Sequence, residues 1–248
     1  MAFNFFSGLF SKKNEPGIDF SAVRTDMHSH LIPGIDDGSK TTEESVALIK
    51  RFYELGFRKL ITTPHIMSDY YRNTPAIINE GLEKVKEAIK KENIEIELSV
   101  AAEYYLDDGF VHKLENEKLL TFGDNYLLFE VSYINCPDNL KEILFRMQVL
   151  GYKPVLAHPE RYPFWSHRFK EYFTFKDQGI LLQININSLG GYYGAEAKKA
   201  AEKLIDNNMV DLIGSDLHGL NHADALKKTM REKYFRKVIE MDLINKRL

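Results

Sequence analysis

The strongest constraint on this chain is an alternation that repeats along almost its whole length. Short runs rich in β-branched and apolar residues are followed by longer stretches of helical periodicity. That order is the signature of a parallel sheet wrapped by helices. Seven runs read as strands, over 24–28, 59–63, 94–102, 126–132, 154–158, 180–186 and 209–215. Helices are expected from Thr41 to Gly56 and over 75–91, 139–150, 166–179, 195–208 and 223–242. The first has a capping box, Thr41 with Glu44 three residues later. Its apolar positions Val46, Leu48, Ile49, Phe52, Tyr53 and Leu55 follow helical spacing.

No repeat, low-complexity stretch or long linker divides these units, so residues 21–248 read as one α/β domain behind an arm over 1–20. The loops after the strands are long and polar, which puts variability, and in barrels the chemistry, on the C-terminal side of the sheet. With 248 residues, 44% of them hydrophobic and 28% charged, the chain has material for a large core. Its formal charge of -3 lacks the basic footprint of a nucleic-acid binder. The one cysteine, Cys136, excludes an internal disulfide and fits a reducing, cytoplasmic setting. No run has the eighteen or so apolar residues of a spanning helix. In the arm, Phe3, Phe5, Phe6, Leu9 and Phe10 precede Lys12 and Lys13, the reverse of a signal peptide's order. The arm reads as a segment packed on the body or on another subunit. A weak peripheral membrane contact is the alternative.

The chemistry sits at the ends of the runs. Residues two apart on a strand share a face, so His28 and His30 can converge on one ion. That pair is weak alone, because two histidines near a turn are often surface residues. Similar groups recur at other strand ends: His65 after Thr63-Pro64, Glu103 after Ala102, Glu130 after Phe129, His158 after Ala157, and Asp216 with His218. A closed barrel gathers all its strand ends around one mouth. Each residue has a plainer reading as a core histidine or a paired carboxylate. Carboxylates at the ends of apolar strands are nonetheless costly to bury unless paired or bound to a cation. Imidazole and carboxylate without thiolate suit zinc, manganese or iron.

The segments DMHSHLIPGIDDGSKTTEES, ITTPH, AAEYY, FEVS, AHPERY and GSDLH carry a resemblance. Together they resemble the polymerase and histidinol phosphatase (PHP) superfamily, and most closely the bacterial protein-tyrosine phosphatases of capsule and exopolysaccharide systems. The resemblance runs from Asp26 to His218. It implies a distorted (β/α)7 barrel and three divalent metal ions, manganese first with iron or zinc as alternatives. The implied ligands are His28, His30, Asp37, His65, Glu103, Glu130, His158, Asp216 and His218, with Glu103 as a bridging carboxylate. Asp37 matches the family's loop ligand better than Asp36. Arg161 matches its phosphate-binding arginine, whose planar fork holds two oxygens at once. A surface salt bridge to a neighbour such as Glu160 is the plainer reading of Arg161. The family's second arginine, after the last D-x-H, is missing here, and His222 or Lys227 stands as its replacement.

On this reading a water between closely spaced dications loses a proton near neutrality, from about 15.7 in bulk, and the metal-bound hydroxide attacks phosphorus. A phenol leaving group with a pKa near 10 needs little help, though His222 could supply a proton. The implied partner is a tyrosine autokinase of polysaccharide export. A cysteine mechanism is excluded, because the residue six after Cys136 is Glu142 and C-x5-R is absent. Rival readings are a small-molecule phosphatase such as histidinol-phosphate phosphatase, an amidohydrolase, a nuclease, and a non-catalytic metal-binding module.

Overall fold

In the computed structural model, residues 19–166 and 168–248 are described. The expected arm and its membrane contact fall on residues 1–18, outside the described residues. In chain order the regular elements are β1 (Thr25–Asp26), α1 (Thr42–Glu54), β2 (Lys59–Thr62), β3 (His65–Ile66), α2 (Pro75–Lys91), β4 (Glu97–Val100), β5 (Glu103–Tyr105), α3 (Phe110–Asn116), β6 (Tyr126–Glu130), α4 (Leu140–Val149), β7 (Lys153–Ala157), α5 (Pro163–Ser166), α6 (Lys170–Asp177), β8 (Leu181–Asn185), α7 (Ile186–Leu189), α8 (Ala195–Asp206), β9 (Leu212–Gly214), α9 (Leu220–Thr229) and α10 (Lys233–Glu240). No helix among them is long and apolar enough to cross a membrane.

All seven strand pairings are parallel, as the alternation requires. They form two sheets, β1-β2-β4 and β3-β5-β6-β7-β8-β9. The split arises because the strands of the second and third runs stop at Thr62 and Val100, and the chain resumes just beyond the expected ends as β3 and β5. Pro64 has no N–H for the ladder, and Thr63 instead donates its N–H to Ser29 O at 2.7 Å. The chain then resumes as β3 beside β5, with His65 opposite Glu103. At the other end of the order, a parallel bridge joins Ser29 to Leu217. Asp216 N–H donates to His28 O at 2.8 Å, and His30 N–H to Leu217 O at 2.9 Å. The end of the first run therefore lies beside the end of the last.

Two apolar clusters follow from this arrangement. Met27, Ile61, Ala101, Leu128, Val155 and Leu212 come from six different runs and pack together, with Leu181 of the seventh against them. The larger cluster lies between strands and helices and includes Leu48, Ile49 and Phe52 of α1 and Ile78, Leu82 and Val85 of α2. In α1, Val46 and Tyr53 are only half-buried, so the buried stripe is narrower than the expected one. Thr41 Oγ1 accepts the Glu44 N–H at 3.2 Å, while Glu44 Oε2 accepts from Lys40 N–H at 2.7 Å, one residue earlier than in a capping box.

The expected helix over 166–179 is replaced by α5 and α6, and that over 223–242 by α9 and α10. Helix α3 was not anticipated. Its N-cap is Gly109 with no side-chain hydrogen bond, so it lacks the usual start signal.

Candidate metal centre

The donors come from two kinds of place: Glu130 ends β6 while His28, His158 and Asp216 follow β1, β7 and β9, and His65 and Glu103 open β3 and β5 and pair with each other. Glu103 lies at the centre and is fully buried. Its Oε2 is 3.1 Å from His28 Nε2, 3.5 Å from His30 Nε2 and 3.2 Å from His65 Nδ1. Its Oε1 is 3.2 Å from His158 Nε2. Glu130 Oε1 also faces His65 Nδ1 at 3.2 Å. Asp216 Oδ1 stands 3.4 Å from His28 Nε2 and 3.5 Å from His30 Nε2. On the outer side, Asp37 Oδ1 is 3.3 Å from His218 Nε2 and 3.5 Å from His65 Nε2.

Three groups of donors result, each with its ligand atoms within 4.8 Å of one another. They are His30, Asp37, His65 and His218; His28, His30, Glu103 and Asp216; and His65, Glu103 and Glu130. His158 stands outside these three but touches Glu103, which two of them share. Glu103 Oε2 and His65 Nδ1 are buried without a hydrogen-bond partner. Orphaned buried donors and acceptors are rare unless something else satisfies them. The donor set, imidazole and carboxylate without thiolate, suits transition dications. These residues therefore fit a group of metal ions.

The electrostatics agree. Burial opposes charge on His28, but Glu103 and Asp216 outweigh it and raise its pKa to about 9. Burial likewise opposes charge on Glu103 and Asp216, yet the surrounding histidines hold both well below the usual carboxylate range. Positive charge is what this cluster favours, whether protons or cations supply it.

The neighbouring aspartates divide their work. Asp36 is buried and orients other groups: its Oδ2 takes His30 Nδ1 at 2.8 Å and His65 N–H at 3.1 Å, and its Oδ1 takes Gly38 N–H at 2.9 Å. Asp37 is the one that faces the donors. Two site residues hold left-handed backbone, His158 at φ 36° and Asp216 at φ 51°. Such conformations cost of order 1–3 kcal/mol each and persist only where the surroundings impose them.

A profile of the family described as "Capsular polysaccharide synthesis, CpsB/CapC" matches residues 24–245. The chain belongs to this family. Among CpsB/CapC relatives, it is 30% identical over 215 residues to the tyrosine-protein phosphatase CpsB of Streptococcus pneumoniae, covering 84% of this chain and 87% of that protein. It is 28% identical over 196 residues to the tyrosine-protein phosphatase YwqE of Bacillus subtilis, with 79% and 77% covered. Crystal structures of YwqE from Bacillus subtilis and CpsB from Streptococcus pneumoniae, described as unique metal-dependent tyrosine phosphatases, include a chain that superposes with a TM-score of 0.77 at 26% identity, covering 85% of this chain and 87% of that one. An amidohydrolase from Mycoplasma synoviae, 11% identical with a TM-score of 0.50 over 92% of this chain and 88% of that one, is similar in fold alone.

Within this CpsB/CapC chain, Arg161 is paired with Asp216 and not with Glu160: Nη1 donates to Asp216 Oδ2 at 2.7 Å. Its guanidinium is held over the rings of Tyr133 and Tyr193, at 5.0 and 4.2 Å. Glu160 is buried elsewhere, accepting from Asn185 N–H and Ser188 Oγ at 2.9 and 2.6 Å. His222 sits behind His218, accepting its backbone N–H on Nδ1 at 3.0 Å, in a cleft with Tyr192. It does not line the cleft of Arg161. Lys227 is exposed on α9 and lines neither cleft.

Two residues that hold the donors in place escaped the sequence reading. Gln183 Oε1 takes His28 Nδ1 at 2.8 Å, which aims Nε2 at Glu103. Asn185 Nδ2 donates to Asp216 Oδ2 at 2.7 Å, and Gln183 Nε2 donates to Asn185 Oδ1 at 3.0 Å. Polar residues two apart at the end of an apolar strand, in ILLQIN, are the signal that would have found them. It is the rule that found His28 and His30.

Proposed function

We propose that this chain is a metal-dependent protein-tyrosine phosphatase. The carrying observation is the buried Glu103, whose orphaned Oε2 faces His28, His30 and His65, whose Oε1 faces His158, and which groups with Asp216 and with Glu130. The proposed ligands are His28, His30, Asp37, His65, Glu103, Glu130, His158, Asp216 and His218, arranged for three divalent ions of which manganese is the first choice and iron or zinc the alternatives. The three donor groups support that count. We assign the seven runs to one distorted (β/α)7 barrel over residues 21–248. The packing of residues from all seven runs into one cluster and the Ser29–Leu217 bridge support it.

Bound dications supply Lewis acidity, charge neutralisation at phosphoryl oxygens and a lowered pKa for water. The chain's own residues do the rest. Asp36, Gln183 and Asn185 fix the orientation of His30, His28 and Asp216. Arg161, with one nitrogen engaged by Asp216, keeps the rest of its fork for the non-bridging oxygens of a phosphoryl group. Tyr133 and Tyr193 hold that guanidinium in place. His222 supports the loop of His218 through its backbone N–H, and its other ring nitrogen is the chain's candidate proton donor.

The substrate class is a phosphotyrosine protein, and a tyrosine kinase of polysaccharide export is the partner we favour from the capsule-synthesis family. Metal-loaded protein should hydrolyse p-nitrophenyl phosphate and phosphotyrosine peptides, lose activity to chelator and regain it with manganese. A metal-replete preparation inactive on every phosphotyrosine peptide would overturn the assignment. Preference for histidinol phosphate over those peptides would move it to the small-molecule branch.

A further inference from the structure

Two clefts meet at Tyr133 and Arg161. One, of about 360 Å³, holds the donor cluster. The other, of about 440 Å³, shares those two residues and is completed by Glu160, Pro163, Ser166, Tyr193, Glu196 and Ala197. None of the nine proposed metal ligands lines this second cleft.

Its walls are preformed. Tyr133 stacks on Tyr162 with ring centroids 5.3 Å apart and on His158 at 5.7 Å. Tyr193 lies against the Arg161 guanidinium. Aromatic rings, Pro163 and Ala197 supply most of the exposed lining, with Arg161, Ser166 and Glu196 as its polar members, and a mainly apolar concavity with a few polar groups is the usual form of a side-chain pocket. Two polar atoms of its lining residues, Glu160 Oε2 and Tyr193 Oη, are buried and make no hydrogen bond within the protein.

We propose that this second cleft is a peptide subsite, which takes a large apolar side chain from the segment flanking the phosphotyrosine. The inference rests on the phosphotyrosine-phosphatase reading. Arg161 is a common wall, so a phosphoryl group held against it in the first cleft places the rest of the segment within reach of the second.

The test uses the full-length, metal-loaded chain and a set of phosphotyrosine peptides. Every flanking position is alanine, except that phenylalanine is moved through each position in turn. p-Nitrophenyl phosphate is the probe with no flanking segment. At one position phenylalanine should lower KM about 10-fold relative to alanine, from the apolar area it buries, with kcat little changed. Ser166→Leu and Ala197→Leu, each of which adds bulk to a residue lining the cleft, should each erase that preference, read as the KM ratio of the two peptides. Turnover with equal KM for phenylalanine and alanine at every position overturns this proposal alone. So does a preference that survives in both variants. Absence of turnover on every substrate, p-nitrophenyl phosphate included, overturns the phosphatase reading and this proposal with it.

Discussion

At the residue scale the site depends on side chains that hold other side chains. Gln183→Ala removes the acceptor that aims His28, and outer partners of this kind typically cost about 10–100-fold in metal affinity. Titration of apo protein with manganese should show that loss, and unchanged affinity would mean that His28 is aimed by something else. Arg161→Lys keeps the charge but removes the planar fork. We expect kcat/KM for p-nitrophenyl phosphate to fall about 100-fold, the scale of one lost transition-state donor. A tenfold effect or less would show that point charge suffices. The donors His28, His30, Glu103 and Asp216 were legible in the sequence because they are titratable groups at strand ends. Their supporting partners were harder to read. Gln183 and Asn185 are neutral, and nothing in composition distinguishes a glutamine that orients a histidine from one that faces solvent.

At the element scale, close approach of backbones limits what the loops can be. A Cβ on Gly38 would stand 2.2 Å from His30 O and 2.4 Å from His30 Cβ. Gly38→Ala must therefore push the loop of Asp36 and Asp37 away from His30. Overpacking of this sort costs about 1–3 kcal/mol, and urea denaturation should show it together with weaker metal binding. An unchanged denaturation midpoint would show that the loop yields freely. Helices with periodic apolar faces were the most legible elements: α2 spans the expected 75–91. The breaks that end β2 and β4, the further strands β3 and β5 beyond them, and the separation of α9 from α10 were not. A break is decided by where backbone hydrogen bonds find partners, as when Thr63 bonds across to Ser29.

At the scale of the whole molecule, the ends of the fold are tied by Asn245. Its Nδ2 donates to Thr25 O and Ile213 O at 3.0 and 2.8 Å, and its Oδ1 accepts from Ile213 N–H at 3.0 Å. Asn245→Ala would leave three buried backbone groups without that partner, at about 1–3 kcal/mol for each unsatisfied group. Calorimetry should show a lower Tm with the metal content unchanged in the folded protein. Chelation should also lower Tm, because ions that bind only the native state stabilise it, by about 2.7 kcal/mol when free metal is a hundred times Kd. A Tm indifferent to chelator would mean that the donors are held without ions. By itself the sequence determined the parallel α/β alternation and which titratable groups end its strands, since hydrophobic period and residue type are local properties. Only the tertiary structure decided that Asp36 orients while Asp37 faces the donors, that Arg161 pairs with Asp216, and that a second cleft adjoins it. Those outcomes depend on distances between residues far apart in the chain, which the packing of strands and loops sets.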